Sequence, residues 1–200
     1  LATPLPANSL AVANGRAPRE NVASSFTVVK GAMIEETYAV LAAWDFERSK
    51  RENLDRLREQ NFIGAKSVTW LRDVAKVLNR RFDPAGRDRA LVVLAKHGLP
   101  MEEWKPLLLW HMTRDEFLVR DFLETWLFAA HEAGAFRVST EDVEAYLAGI
   151  DKRGATTEHA WSAQTVKRVA AGLLKIAVDF GLLRGSVAKE FVSFHLRERS

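Results

Sequence analysis

Residues 162–181 read Ser162-Ala163-Gln164-Thr165-Val166-Lys167-Arg168-Val169-Ala170-Ala171-Gly172-Leu173-Leu174-Lys175-Ile176-Ala177-Val178-Asp179-Phe180-Gly181. Ser162 is a residue that caps helix starts and Gly181 one that stops them, so the run predicts one long helix to about Phe180. At about 100° per residue, Val166, Val169, Leu173, Ile176, Ala177 and Phe180 share a buried side. Gln164, Arg168, Ala171 and Lys175 fall on the outer side, with Lys167 beside them. A helix that enters the major groove needs this division, with an apolar back and amide or guanidinium groups near its N-terminus. Small Ala171 permits close approach to a duplex, and Ser162 and Thr165 carry hydroxyls suited to phosphate.

The elements around this helix give it a context. Residues 136–139, Phe136-Arg137-Val138-Ser139, fit one short strand, and Thr140-Glu141-Asp142 opens a helix through Val143, Tyr146, Leu147 and Ile150, closed near Gly154. Residues 182–196 offer a β-ribbon that bends at Gly185-Ser186, with 191–196 as its second strand. Helices over 102–112 and 115–133 precede the set, the second stopped by Gly134. Helix, strand, helix, helix, ribbon is the order of a winged helix-turn-helix.

The first half predicts a second unit. Met33, Ile34, Thr37, Tyr38, Leu41 and Trp44 share helical spacing over 31–47. Ser49-Lys50-Arg51-Glu52 has the form of a capping box, and its helix ends at Asn61. A turn over 62–66 leads to Ser67, which starts a helix ending at about Phe82 before Asp83-Pro84. A further helix over 85–97 stops at Gly98. In the helix after Ser67, Val68, Leu71, Val74, Ala75, Leu78 and Phe82 form the apolar side, while Thr69, Arg72, Lys76 and Arg80 line the other. Asp73 lies among them and weakens their field. The fold expected is mainly α: a tail over 1–25, a helix-turn-helix-like domain over 26–99, and a winged helix-turn-helix-like domain with a short β-ribbon over 100–200.

Charge follows the same division. The chain of 200 residues carries a net charge of +3, but residues 48–89 hold 12 basic and 6 acidic side chains and residues 90–151 hold 5 and 11. Residues 152–200 return to 9 against 4. Two basic blocks around an acidic one point to surfaces that face a polyanion. Lys50, Arg51, Arg56 and Arg58, with Lys66 and Ser67 at the turn, are candidate phosphate contacts. Lys189 in the ribbon and Arg197 and Arg199 beyond it join them as a wing and tail. Basic groups outnumber base-reading ones, so the expected partner is double-stranded DNA, bound with little sequence preference. The competing reading is an adaptor whose basic faces meet acidic protein surfaces. RNA fits less well, since no aromatic-rich sheet is in view.

Other classes find little support. The chain has no Cys, which removes thiolate metal sites and cysteine nucleophiles. His97, His111, His131, His159 and His195 include no i, i+4 pair, and Gly-rich phosphate loops are missing. Asp115-Glu116 and Glu141-Asp142 sit where helix starts are expected, which the helix dipole explains. Trp104, Trp110 and Trp126 read as core. The longest charge-free stretch, 1–15, contains Pro4 and Pro6 and is too short to span a bilayer. The expectation is a soluble cytoplasmic protein without catalysis, cofactor, metal or small-molecule substrate.

Met33-Ile34-Glu35-Glu36-Thr37-Tyr38, Trp44-Asp45, Ser49-Lys50-Arg51-Glu52-Asn53, Asn61-Phe62-Ile63-Gly64 and Ser67-Val68-Thr69-Trp70-Leu71 together resemble BrxA. BrxA is the small protein of the bacteriophage exclusion (BREX) phage-defence systems. The resemblance extends to Gly181-Leu182-Leu183 and so covers most of the chain after the tail. It implies a non-enzymatic, helical, DNA-binding component that acts beside a methyltransferase and ATPase-type partners of the same system. It carries no fixed catalytic or base-reading motif, so the contact residues rest on helical faces alone.

Overall fold

The computed structural model describes residues 22–151, 156–157 and 160–192. Gly154, His159, residues 193–196, Arg197, Arg199 and most of the tail, for which the sequence raises expectations, therefore lie outside the described residues. In chain order the elements are β1 (Val22–Ala23), α1 (Ser25–Val29), α2 (Ile34–Ala42), α3 (Lys50–Gln60), α4 (Val68–Arg81) and α5 (Arg89–Lys96). There follow α6 (Met101–Asp115), α7 (Phe117–Asp121), a π-helical stretch (Phe122–Leu127) and α8 (Phe128–Glu132). The chain continues through β2 (Arg137–Val138), α9 (Thr140–Leu147), β3 (Thr156–Thr157), α10 (Ala163–Asp179), β4 (Leu183–Arg184) and β5 (Lys189–Phe191).

Local chemistry sets most of these boundaries. Ser49 Oγ accepts from the Glu52 N–H at 3.2 Å, and the Glu52 carboxylate accepts from the Ser49 N–H at 2.8 Å, which is the expected capping box. Ser139 and Asp142 repeat it at the start of α9. Ser67 and Ser162 each cap their helix by accepting an N–H three residues on. Asn61 closes α3 in the left-handed region at φ 43°.

Some boundaries depart from expectation, each for a local reason. Asp115 ends α6 rather than starting a helix, so the long helix expected over 115–133 starts at Phe117 and runs through α7, the π-helical stretch and α8 to Glu132. Glu116 takes an extended backbone between α6 and α7 because its carboxylate turns inward to Arg81 Nε at 2.6 Å and to Thr27 Oγ1 at 3.2 Å. The helix expected from Ala85 begins only at Arg89. Before it, Asp88 closes a turn, with its carboxylate accepting from the Asp83 N–H and its own N–H donating to the Asp83 carbonyl. Within the described residues the ribbon's second strand begins earlier than the expected Phe191, at Lys189, because Lys189 and Glu190 pair with β2 while Glu190 and Phe191 pair with β4.

The antiparallel sheet has the order β2-β5-β4, with Val138 opposite Lys189 and Arg184 opposite Glu190. With α9 and α10 before the β4–β5 ribbon, this is a winged-helix arrangement. A second pairing joins β1 to β3 in parallel. Buried apolar side chains from Ala23 to Leu183 form one connected cluster. α1 packs on α10, α2 on α5, and α3 on α4. Gly172 makes the first of these possible: a Cβ there would lie 2.6 Å from the Val28 carbonyl oxygen.

Candidate nucleic-acid interface

Within the α3–turn–α4 unit, α4 presents Arg72, Lys76 and Arg80 on one exposed strip. Leu71, Val74, Ala75, Leu78 and Phe82 are buried, while Thr69, Arg72, Lys76 and Arg80 are exposed, as the helical spacing predicts. Val68 departs from its apolar stripe and is 82% exposed. Residues 66–69 are exposed together, so the first turn of α4 stands out from the body and carries Lys66, Ser67 and Thr69 with it. Behind it lies a shallow cleft of about 340 Å³ lined by Arg58, Val68, Leu71, Arg72 and Lys76.

Ion pairing sorts the cations of this unit. Arg48 pairs with Asp45 at 3.0 Å, and Asp55 takes both Arg58 at 2.6 Å and Arg51 at 3.7 Å. The Asp45 carboxyl is held below its ordinary value, first by the Glu47 N–H and then by Arg48. Lys50 Nζ donates to the carbonyls of Asn79 and Phe82, so this candidate phosphate contact caps the C-terminal end of α4. Asp73 is drawn to Lys30 at 2.6 Å, which offsets its charge within the strip. Lys66, Arg72 and Lys76 make no ion pair or hydrogen bond among the described residues, and their charge faces solvent.

The α10 face follows the same rule. Val169, Leu173, Ile176 and Ala177 are buried and Val166 and Phe180 half-buried, while Gln164, Lys167, Arg168, Ala171 and Lys175 are exposed. Lys175 pairs with Asp179 at 2.7 Å. Lys167 and Arg168 have no such partner among the described residues. Ser162 Oγ accepts from the Thr165 N–H at 3.2 Å and lies 3.0 Å from Thr165 Oγ1, so these hydroxyls first serve their own helix start. Ala171 faces outward, and the close approach on this helix belongs to its neighbour Gly172, which meets α1. In the ribbon, Lys189 Nζ donates to the carbonyls of Gly185 and Ser186 and closes the bend. Glu190 holds Arg137 at 2.9 Å and Arg184 at 3.4 Å.

Two charged groupings escaped the sequence reading. Arg81 is fully buried: Nε meets Glu116, Nη1 donates to the Ala32 carbonyl at 3.0 Å, and Nη2 donates to those of Thr27 and Gly31 at 2.9 Å each. The signal for it was present, since position 81 follows Val74, Val77 and Leu78 by seven, four and three residues. The second grouping joins Asp88 to His111 Nδ1 at 2.5 Å and to Arg114 at 2.7 Å, with Asp115 bridging Arg114 and Arg87. Burial pushes the Asp88 carboxyl up, but hydrogen bonds from His111, the Asp83 N–H and Arg114 outweigh it and hold it below its ordinary value. Burial likewise lowers Arg114, and its bonds to Asp115 and Asp88 raise it overall. These residues join α5 to α6 and lie apart from both exposed strips.

Of the three Trp residues read as core, Trp104 is buried with its indole N–H on the Leu91 carbonyl, and Trp126 is half-buried against Phe122. Trp110 is 60% exposed and lies near the Arg114 guanidinium. Among the described residues, no three His, Asp or Glu side chains gather as metal ligands, and no helix is long and apolar enough to cross a membrane.

The family model described as BrxA matches residues 24–200 of the chain. No curated protein matches it.

Proposed function

The chain belongs to the BrxA family, a component of the BREX phage-defence systems, and from that premise we propose that it binds double-stranded DNA without catalysis and with little sequence preference. One observation carries the reading. Two separate helices each present cations that no side chain among the described residues neutralises: Lys66, Arg72 and Lys76 at α4, and Lys167 and Arg168 at α10. Such charges reach phosphates without first breaking an internal pair. Gln164, beside Lys167 and Arg168 at the start of α10, is the group best placed to touch a base edge. As a DNA binder the protein works in the cytoplasm, alongside the other proteins of its system.

The test is fluorescence anisotropy of a labelled duplex of random sequence, titrated across a salt series. Five phosphate contacts give a slope of log affinity on log salt of about −4.5, or about a 500-fold loss between ~50 and ~200 mM salt. Replacing Arg72, Lys76 and Arg80 together by Ala, and Gln164, Lys167 and Arg168 together by Ala, weakens binding in both cases. If neither triple changes the affinity of a folded protein, the assigned surfaces are wrong. Absence of binding at low salt refutes direct DNA recognition and leaves the adaptor reading.

A further inference from the structure

A different face of the molecule is built for something other than a polyanion. None of the five residues of α8 is buried, although they begin Phe128-Ala129-Ala130. Phe128 is 57% exposed and Phe136, two residues past the turn at Gly134, is 66% exposed. Soluble proteins seldom leave two large aromatics so open on neighbouring stretches of chain without a use for them. The helix leading to this point passes through the π-helical stretch Phe122–Leu127, whose wider turn sends Phe122 and Leu127 into the core. Such turns are frequent at functional sites.

The flanking charges narrow the choice of occupant. Glu124 and Glu132 lie four residues before and after Phe128, about one helical turn to each side, and both are exposed. Neither makes an ion pair among the described residues. The Arg137 guanidinium lies 5.5 Å from the centre of the Phe136 ring, but Glu190 neutralises it at 2.9 Å, so the face keeps the negative charge of Glu124 and Glu132, which repels nucleic acid and anionic bilayers. That charge also disfavours the same face of a second copy, because a two-fold contact would bring four carboxylates together. A cationic surface with an apolar stripe satisfies both features at once.

We propose that Glu124, Phe128, Ala129, Glu132 and Phe136 form a docking surface for a protein partner that presents an apolar helix stripe flanked by Lys or Arg. The inference does not rest on the DNA reading. The partner's aromatic or aliphatic side chains cover Phe128 and Phe136, and its cations meet Glu124 and Glu132, which fix the register. The acidic face stays off DNA, so a partner held here and a duplex held at α4 or α10 occupy the protein together.

The experiment uses two amphipathic helical peptides of ~18 residues, one of Leu and Lys and one of Leu and Glu, titrated calorimetrically into the full chain. The Leu/Lys peptide binds and the Leu/Glu peptide does not. Phe128→Ser and Phe136→Ser each weaken binding by about tenfold or more, while Val187→Ser, at the exposed ribbon bend, leaves it unchanged. Glu124→Gln with Glu132→Gln flattens its salt dependence. These positions are exposed, so the variants keep the fold, and circular dichroism verifies that. Equal binding of the two peptides, no binding of the Leu/Lys peptide, or an equal loss in Val187→Ser overturns the proposal. So does a dimer in sedimentation that Phe128→Ser dissolves. DNA affinity measured on the same Phe128→Ser protein stays at the starting value, so failure here and failure of DNA binding are read separately.

Discussion

Removing the Arg81 side chain tests how the N-terminal elements are tied to the rest of the fold. Arg81→Ala leaves the Glu116 carboxylate without its cation at a site where that side chain is only 10% exposed. It also leaves the carbonyls of Thr27, Gly31 and Ala32 without the donors that satisfy them. Each orphaned buried acceptor costs about 1–3 kcal/mol, but the costs overlap, and breaking a buried ion pair from one side costs about 3–5 kcal/mol in total. With a urea m-value of about 2 kcal/mol/M, the unfolding midpoint falls by about 2 M. Glu116→Gln keeps an acceptor for Nε and all three carbonyl contacts, so its loss is the smaller, about 1–2 kcal/mol. The assay is urea unfolding followed by Trp fluorescence, with hydrogen exchange over residues 25–33, which loses protection in Arg81→Ala first. A loss below about 1 kcal/mol in Arg81→Ala, or a larger loss in Glu116→Gln, refutes the view that Arg81 organises this region mainly through its carbonyl contacts.

Three further outcomes follow from the same contacts. Gly172→Ala gains about 1 kcal/mol of helix propensity, yet its Cβ meets the Val28 backbone at 2.6 Å, so thermal unfolding shows a net loss of about 1–2 kcal/mol; a gain in stability means α1 does not pack there. The folded Asp88 carboxyl titrates below its unfolded value, so its contribution is complete above the unfolded value near ~4 and is lost as pH falls through the lower folded one. Asp88→Asn therefore unfolds with a shallower dependence on pH below ~4 than the starting protein, and an unchanged acid limb contradicts the assignment. Lys50→Ala costs about 0.5–1 kcal/mol by uncapping α4 but leaves DNA affinity unchanged, and a clear drop in affinity returns Lys50 to the interface.

Much of the fold is legible in the sequence because its boundaries rest on short-range chemistry. The capping box at Ser49, the caps at Ser67 and Ser162, and the stops at Gly98, Gly134 and Gly181 all act within a few residues. What fails to be legible depends on contacts between distant segments. Glu116 separates α6 from α7, and its carboxylate is held by Arg81, 35 residues away. Asp115 reads as a helix-start acid and instead bridges two arginines at the end of α6. Trp110 sits within an apolar run, and nothing in that run shows that its side of α6 is left uncovered. Gly172 passes as an ordinary helix residue until α1 is seen against it.

The candidate interface shows the same division between position and availability. Helical spacing placed Arg72, Lys76, Lys167 and Arg168 on outer strips, and they are there. It could not tell these from the other cations of the same blocks, because ion pairing is decided by neighbours in space. Arg48, Arg51 and Arg58 are matched to Asp45 and Asp55, Arg81 and Arg87 to Glu116 and Asp115, and Arg89 lies on the ring of Phe46. A block with six more basic than acidic side chains thus offers solvent far fewer uncommitted charges than its composition implies. Recruiting a paired arginine to a phosphate requires giving up its carboxylate, which returns little net free energy at an exposed site. An unpaired lysine gives up only water and its counterion, and released counterions are the main source of binding to a duplex. On the proposed DNA reading the strength of binding therefore follows the cations left unmatched, which among the described residues include Lys66, Arg72 and Lys76 at the start and outer strip of α4, Lys167 and Arg168 on α10, and Arg56 on α3.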